Sequence, residues 1–335
     1  MKVDIYTTPA VFDVLANEWD AVLDPGRSDA FFMRLDWQRI WWKHLGQGTL
    51  LVMTVRDDNH VLRGIAPWFI TEEDRQRVMR VVGCVDVSDY IDLIAAPGYE
   101  EPVFAALLKS ILSDEIPAWD VIRICNIPEG SPTLALLPQL ATKCGLVSEV
   151  THEDVCPIIT LTGSYEDYLG LLDKKQRHEL RRKRRRAEDY PVKWYIAGHE
   201  HDIDKEIEDF INLMALSSPQ KADFLKQQGH RDFFREIGRV LSGSGLLEIN
   251  FLKVGDQPAA ALWNFVYRDR MMLYNSGLNP LDYSGVSAGI VLLTFSIEDA
   301  ARRGYRFFDF LRGDEEYKYR MGAIPTTIYR LTIRR

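Results

Sequence analysis

The chain has 335 residues, of which 46% are hydrophobic and 11% aromatic, and its 41 basic and 49 acidic residues give a formal charge of −8. This composition excludes a disordered chain, and the length suits two domains of ordinary size. The negative balance argues against a general nucleic-acid binder, so no DNA partner is expected, and no apolar run approaches the roughly 18 residues of a membrane span.

Four cysteines bear on the compartment and on metal binding: Cys84, Cys125, Cys144 and Cys156. They form no Cys-x-x-Cys pair and no metal-ligand spacing, so we predict no metal site. Each lies among apolar residues, which is typical of buried free thiols and suits a reducing cytoplasm. The N-terminus lacks an apolar signal core, and we predict a cytoplasmic location.

The first half alternates strands and helices. Hydrophobic periodicity predicts, in order, a strand at 3–6, helices at 11–23 and 31–45, strands at 50–55, 62–70 and 78–82, a helix at 101–113, a strand at 120–124 and a helix at 134–144. This order predicts a mixed α/β fold.

Polar residues crowd the end of the strand at 78–82. Asp86, Asp89 and Asp92 stand at three-residue intervals, with Tyr90 between them. Such a cluster is typical either of a turn or of a binding loop. We take Asp89 and Tyr90 as candidate substrate-binding residues.

The second half predicts a meander, a crossover helix and a further strand. Its predicted elements are a strand at 155–161, one capped helix starting at Ser164–Asp167 with an apolar stripe (Leu169, Leu172, Leu180, Ala187), helices at 204–216 and 229–241, strands at 246–254, 259–267 and 271–277, a helix at 290–303, and strands at 307–311 and 327–333.

Residues 174–186 are strongly basic. They hold nine Lys or Arg and one Glu, a net +8, so the rest of the chain carries −16. Two interpretations stay open: a solvated charged helix, or a surface for an anion such as a carrier phosphate, nucleotide-sugar, RNA or anionic lipid at a membrane surface. On the second interpretation, Arg177 and Arg181 are candidate ligand contacts.

A glycine-bearing loop joins the strand at 271–277 to the helix at 290–303. Gly277, Gly285 and Gly289 allow tight turns and close approach to a ligand. A helix that starts from such a loop presents free N–H groups and a positive dipole end to an anion. The loop matches neither nucleotide-binding glycine motif, so an ordinary crossover remains the alternative.

Residues 308–322 (Phe-Asp-Phe-Leu-Arg-Gly-Asp-Glu-Glu-Tyr-Lys-Tyr-Arg-Met-Gly), together with 297–300 and 174–177, resemble the acyl-CoA-binding core of the GNAT acetyltransferase superfamily. Within it they are most similar to the CelD-like, or BioF2-like, branch of polysaccharide gene clusters. The Lys-x-x-x-Gly segment at 318–322 is also distantly similar to the Fem-type aminoacyl transferases, which pair two such domains.

The resemblance implies tandem GNAT-like domains with a mixed α/β fold. Residues 1–150 would be a degenerate domain on the acceptor side, and residues 151–335 the acyltransferase domain. It implies acyl-CoA as co-substrate, with no tightly bound cofactor. The phosphate loop would comprise Tyr283, Ser284, Gly285, Val286, Ser287, Ala288 and Gly289. This loop departs from the family pattern, because Asp282 stands near the usual basic position.

The same resemblance places the chemistry after the strand at 307–311. Asp309 and Asp314, with Glu315 and Glu316, are candidate groups for removing the amine proton. Lys318 is a candidate for stabilising the oxyanion or for binding an acidic acceptor. Arg312 and Tyr317 are candidate substrate-binding residues, and an Asp309–Arg312 pair that merely holds the loop is the alternative.

The predicted function is N-acylation, most simply acetylation, of an amino-sugar or amino-acid acceptor that is small or carrier-linked, in cell-envelope or polysaccharide metabolism. Other carrier-linked donors remain open, including a Fem-like tRNA-type donor. A non-catalytic module that binds an anionic glycan or carrier is the alternative from another class.

Overall fold

The computed structural model describes residues 1–26, 30–84, 87–280, 283 and 285–335. Its strands are β1 (Lys2–Tyr6), β2 (Thr49–Arg56), β3 (Leu62–Glu73), β4 (Gln76–Val81), β5 (Ile94–Ala95), β6 (Val121–Pro128), β7 (Val147–Thr160), β8 (Val192–Ile196), β9 (Leu247–Val254), β10 (Gln257–Tyr267), β11 (Arg270–Leu278), β12 (Phe307–Asp309) and β13 (Ile324–Arg334).

Its helices are α1 (Val11–Val14), α2 (Trp19–Leu23), α3 (Leu35–Leu45), α4 (Glu100–Ile111), α5 (Pro132–Lys143), α6 (Tyr165–Leu171), α7 (Lys174–Ala187), α8 (Ile203–Ser217), α9 (Pro219–Lys226), α10 (His230–Gly243), α11 (Ala288–Arg302) and α12 (Glu316–Arg320). A 3₁₀ turn at Phe31–Met33 precedes α3. Within the described ranges, no helix has the length and apolar character that crossing a membrane requires.

The chain forms two compact units, Met1–Asp154 with Thr326–Arg335, and Val155–Pro325. The predicted division at 150/151 had placed the last residues in the second half. They belong with the first unit because β13 pairs antiparallel with β6, with Leu331 opposite Ile124. The functional roles given to the two halves stay predictions.

The first unit contains a sheet in the order β1-β2-β3-β4-β6-β13, with β5 on β3.

Three of the four cysteines differ from the prediction that each is a buried free thiol. Cys84 and Cys125 are joined by a disulfide and are not free thiols, because parallel β4 and β6 bring the two chain segments together. Cys144 is exposed, and Cys156 is buried, as predicted.

The polar cluster after β4 contributes a buried carboxylate that supports the start of α5. Asp92 is 1% exposed, and its two carboxylate oxygens accept hydrogen bonds at 2.5 Å from the hydroxyls of Ser131 and Thr133. The Ser131 hydroxyl oxygen is itself the N-cap of α5 and accepts from the Thr133 amide at 3.0 Å, so Asp92 holds the capping residue in place. Asp86 lies outside the described residues.

The second unit contains the predicted meander and crossover. Strands β8 to β11 are antiparallel neighbours, and β12 runs parallel to β11 after the crossover helix α11. The Ser164–Asp167 capping box is confirmed. The single helix predicted from Ser164 is wrong: α6 ends at Leu171, and α7 begins afresh because the Asp173 side chain accepts from the Gln176 amide.

The apolar stripe that sequence spacing predicted is nevertheless buried. Its four members lie in the core of the second unit beneath α6 and α7: Leu169, Leu172, Leu180 and Ala187. The two helices keep these residues on the side facing the sheet, so the basic residues of α7 occupy its remaining faces.

Strand β11 lies directly against α8 at Gly277. A Cβ added there would come within 2.6 Å of the Leu213 Cβ and 2.8 Å of the Met214 backbone nitrogen. Only glycine allows this approach, because the obstructing atoms belong largely to the helix backbone and have little freedom to move.

Gly277→Ala is therefore expected to lower the free energy of unfolding by about 1–3 kcal/mol through overpacking. Gly170→Ala is the matched control: no heavy atom lies within 4 Å of its added Cβ, and alanine in a helix is neutral or stabilising by up to about 1 kcal/mol. Urea unfolding followed by tryptophan fluorescence measures both. Equal stability of the two variants would contradict this packing.

Candidate active site

Strands β11 and β12 separate after a short paired stretch. They pair at only three positions, Arg270 with Phe307, Met271 with Phe308 and Met272 with Asp309. Strand β12 ends there, whereas β11 continues to Leu278 along β10. A gap therefore opens beside the carboxyl end of β11.

A bulge marks the beginning of this gap. Trp263 lies opposite Asn275 and the next residue, Asn264, opposite Leu273, so Tyr274 is the extra residue of β11. A bulge bends its strand and redirects the local backbone groups, which is a common device beside active sites.

A cavity of about 480 Å³ lies at this end of β11. This volume is in the range of small-molecule binding sites. The cavity is bounded by β10, β11, α11 and the loop between them, with one residue each from α7 and α12: Lys183, Leu262, Leu273, Ser276, Gly277, Leu278, Asn279, Pro280, Tyr283, Ser287, Ala288, Gly289, Ile290, Leu293 and Tyr317.

The N-terminus of α11 forms the electropositive side of this cavity. Ser287 is its N-cap in the left-handed region, with φ 56°, and the amides of the first turn have no partner within the helix. The ammonium of Lys183 donates to the Ser287 hydroxyl at 3.3 Å. Backbone N–H groups, the helix dipole and a lysine thus converge at one point, an arrangement suited to an anion.

Only some residues of the predicted phosphate loop line the cavity. Tyr283, Ser287, Ala288 and Gly289 line the cavity, whereas Val286 is 2% exposed and packs in the core. Gly285 lies against the end of α7, where an added Cβ would be 2.8 Å from the Tyr190 hydroxyl oxygen. Ser284, with Asp282, lies outside the described residues.

The basic helix α7 is not a uniform solvated surface. Arg184 pairs with Glu298 at 2.8 Å, and its guanidinium lies over the rings of Phe295 and Tyr165 at 4.6 and 5.2 Å. Arg181, a candidate ligand contact, is exposed and pairs with Glu166 at 2.6 Å. Part of the charge of α7 therefore anchors this helix to α6 and α11.

Other basic residues of α7 have no ion-pair partner in the part of the chain that the structure describes. Arg177, the other candidate contact, is partly exposed and belongs to this group, which is made up of Lys174, Lys175, Arg177, Arg185 and Arg186. The anion-binding interpretation of the basic segment therefore rests on these residues, and it stays a prediction.

Asp309 shapes the chain after β12. It is 0% exposed, its Oδ1 accepts from the Leu311 amide at 2.8 Å, and its Oδ2 is 3.6 Å from an Arg270 guanidinium nitrogen. Leu311 has φ 54°, an unfavourable value for leucine that the Asp309 hydrogen bond helps to hold. This contact supports a structural role for Asp309.

Lys318 closes the same loop. Its ammonium donates to the carbonyl oxygens of Leu311, Arg312 and Gly313 at 3.2, 3.0 and 3.0 Å, and pairs with Glu315 at 2.9 Å. Three N–H groups thus already face four acceptor oxygens, so none is left for an oxyanion in this arrangement. We term Leu311–Gly313 with Lys318 the lysine clasp.

Tyr317 is the α12 residue that reaches the cavity. Burial, and to a lesser extent the Glu315 carboxylate, raises the pKa of Tyr317 well above its ordinary value, so its hydroxyl stays protonated at neutral pH. The exposed Asp314 instead accepts a hydrogen bond from the half-buried Tyr319. Arg312 is half-buried.

The remaining sequence candidates lie in the first unit. Asp89 is 7% exposed, and Tyr90 is half-buried with its ring 6.4 Å from that of Phe32. Sequence reasoning missed Lys183 and Ser276 in the cavity wall, since one lies within a run of basic residues and the other in an unremarkable strand. It also missed α9, whose signal was the Ser-Pro start at Ser218.

The lysine clasp generates a stability prediction. Lys318→Met should lower the free energy of unfolding by about 1–3 kcal/mol, because it leaves buried carbonyl groups without their donor. Lys174→Met, which removes an exposed lysine of α7, should change it by less than about 0.5 kcal/mol. Urea unfolding of both variants checks this, and an unchanged Lys318→Met protein would exclude the clasp.

Residues 174–319 match the model of the acetyltransferase (GNAT) domain family. A search of proteins with curated descriptions gives no significant match. The CelD-like branch therefore stays a prediction.

Solved structures resemble the whole chain. FemX has a TM-score of 0.67 at 11% identity, over 99% of this chain and 97% of that one. L-PGS from Bacillus licheniformis has a TM-score of 0.60 at 11% identity, over 94% and 90% of the two chains. A tandem GNAT protein from the clavulanic acid biosynthesis pathway has 0.51 at 10% identity, over 98% of each chain.

At such identities these likenesses establish the fold alone. They agree with the predicted tandem GNAT-like architecture, and the family model covers most of the unit that holds the cavity. The chain thus has a tandem GNAT-like fold, and its residues 174–319 match the GNAT acetyltransferase domain family.

Proposed function

We propose that the second unit transfers an acyl group, in the simplest case acetyl, from acyl-CoA to the amine of an amino-sugar or amino-acid acceptor. The observation that carries the proposal is the cavity that joins the electropositive start of α11 to the gap beside β11. The acceptor class rests on the sequence resemblance to proteins of polysaccharide gene clusters.

The two ends of the cavity suit the two ends of the donor. The first-turn amides of α11 and Lys183 suit a pyrophosphate, which carries negative charge and several acceptor oxygens. Leu262, Leu273 and Leu293 give the cavity an apolar wall, which suits an uncharged pantetheine arm and a short acyl chain.

Acyl transfer adds the amine nitrogen to the thioester carbonyl and then expels the thiolate of CoA. The enzyme must remove a proton from the ammonium, stabilise the oxyanion and protonate the sulfur. Tyr317, protonated and in the cavity wall, is positioned to donate a hydrogen bond to the oxyanion or a proton to the departing sulfur. Asp309 and Lys318 support this step indirectly by holding the loop before α12, while proton removal by Asp314 stays a prediction.

One observation favours a second donor class. The unpaired basic residues of α7 offer a polyanion more charge than acyl-CoA needs, and a tRNA-linked aminoacyl donor carries such a polyanion. Acetyl-CoA and bulk tRNA, each titrated into the protein at two salt concentrations, separate the two donors. Binding of tRNA with a steep salt dependence, without acetyl-CoA binding, would replace the CoA proposal.

Lys183→Gln should weaken acetyl-CoA binding about tenfold, or about 1.4 kcal/mol, because it removes a charge-assisted contact to phosphate. Arg182→Gln is the matched control: it removes the same charge from the neighbouring position, where Arg182 is exposed and pairs with Glu179 at 2.8 Å, and should change the dissociation constant less than twofold. Isothermal titration calorimetry measures both. Equal losses of affinity in the two variants would show that the net charge of α7, and not a contact in the cavity, determines acetyl-CoA binding.

Tyr317→Phe should lower kcat by about tenfold or more at an unchanged dissociation constant for acetyl-CoA, since it removes a proton donor and little volume. Release of free thiol from acetyl-CoA, with glucosamine and free amino acids as probe amines, gives the rate. Tyr319→Phe on the same helix is the control and should keep wild-type activity. Thiol release that no amine accelerates, together with an absence of acetyl-CoA binding, would overturn the proposed function.

A further inference from the structure

Lys221 of α9 reaches β11 next to the cavity. Its ammonium donates to the backbone carbonyl of Ser276 at 2.6 Å and lies 3.4 Å from the Ser276 hydroxyl oxygen. Ser276 itself lines the cavity, two residues after the bulge at Tyr274. The Ser276 hydroxyl thus lies between the amine of a lysine and the cavity.

This lysine has no carboxylate partner among the residues that the structure describes. The charged group that acts on it is Glu315, which is itself paired with Lys318. On its own helix, Lys226 and Asp223 pair with each other at 2.8 Å. An ammonium held by neutral oxygens alone, and partly removed from water, is less stable than one in solution.

The neighbouring helices do not supply the missing charge either. On α8 and α10, Arg235 pairs with Glu208 and Asp232, and Lys205 pairs with Asp209. Burial lowers the pKa of Lys221 to about 8, although the Glu315 carboxylate opposes this shift. A large fraction of Lys221 is therefore the neutral amine at mildly alkaline pH, and a neutral amine can accept a proton.

We propose that Ser276 and Lys221 form a relay that takes the proton from the acceptor ammonium. The inference rests on the proposed function and deepens it, because it supplies the proton acceptor for the same cavity. Lys221 does not line the cavity, so it acts through Ser276 and is not in contact with the acceptor. The Ser276 hydroxyl is the member that meets the acceptor nitrogen.

An N–H bond of the acceptor ammonium breaks, its proton goes to the Ser276 oxygen, and the original hydroxyl proton passes to the Lys221 amine. The neutral acceptor nitrogen then bonds to the thioester carbon, and the carbon–sulfur bond breaks. The second nitrogen proton ends on the thiolate to give free CoA, and Lys221 returns its proton to water.

The same contacts fit a purely structural role, in which Lys221 holds the Ser276 carbonyl in the bulged strand. Ser276→Ala separates the two roles. It keeps the carbonyl and therefore the 2.6 Å contact, but removes the hydroxyl through which the proton would pass. A structural lysine predicts an unaffected rate in this variant, and a relay predicts a loss.

The first experiment titrates Lys221 directly. The protein is prepared with ¹³Cε-labelled lysine, its NMR shifts are followed from pH 6 to 11, and Lys221→Arg assigns the signal. The expected midpoint is about 8, well below the roughly 10.4 of a free lysine. A midpoint above 10 would overturn the relay, and the measurement needs no acceptor.

The second experiment follows the pH dependence of kcat/KM for acetyl-CoA with glucosamine and with free lysine as probe amines. Lys221→Met and Ser276→Ala should each lower kcat/KM at pH 8 at least tenfold and displace the acid limb of the profile toward the pKa of the probe amine. Lys226→Met, on the same helix but exposed and paired with Asp223, should leave the profile unchanged.

The dissociation constant for acetyl-CoA distinguishes the two proposals. Variants that bind acetyl-CoA like the wild type but keep its pH profile would overturn the relay and leave the transferase intact. A wild-type protein that does not bind acetyl-CoA would overturn the transferase first. If Lys221→Met folds poorly, the pH profile of Ser276→Ala and the titration of Lys221 still test the relay.

Discussion

The cavity of the second unit depends on the early end of the pairing between β11 and β12. Parallel strands that stay paired leave no room between them, whereas here the ladder stops at Met272 and Asp309. Beyond that point one edge of β11 needs other partners for its polar groups. The carbonyl of Ser276 accepts a hydrogen bond from Lys221, and the amide of Leu278 donates to the Ser217 hydroxyl at 2.8 Å. The gap is thus stabilised by side chains from the α8–α9 junction.

Side-chain hydrogen bonds to the backbone also fix the chain that follows β12. Asp309 binds the amide of the left-handed Leu311, and Lys318 gathers the next carbonyl groups. Aspartate and lysine are common catalytic residues, but here both side chains form hydrogen bonds with backbone groups. Their effect on the chemistry is to place α12 so that Tyr317 reaches the cavity.

The basic residues of α7 make contacts of different kinds. Arg184, stacked on two aromatic rings and paired with Glu298, anchors the helix. Lys183, one residue earlier, instead donates to the Ser287 hydroxyl at the start of α11, in the cavity wall. Because adjacent residues face different sides of a helix, one basic run both anchors α7 and supplies a charge to the cavity. A count of charges along the sequence does not make this distinction.

The sequence by itself determined the elements and their order in the second unit. The periods of hydrophobic residues located the meander, the crossover helix α11 and the strand after it, because burial on one face imposes those periods. The residues at 308–322 pointed to the GNAT-like architecture, and the loop before α11 to an anion site. Local rules failed at Asp173, where a competing cap divided one predicted helix into two.

Only the tertiary structure decided which polar groups meet in the cavity and directly behind its wall. Lys183, Lys221, Ser276 and Tyr317 come from four separate elements, and their convergence depends on where β11 leaves β12 and on how closely α8 packs on Gly277. The structure likewise showed that Asp309 and Lys318 bind backbone, and that β13 completes the first unit. Sequence patterns report the environment of each residue along its own element, whereas a site is a set of distances between elements, which packing alone sets.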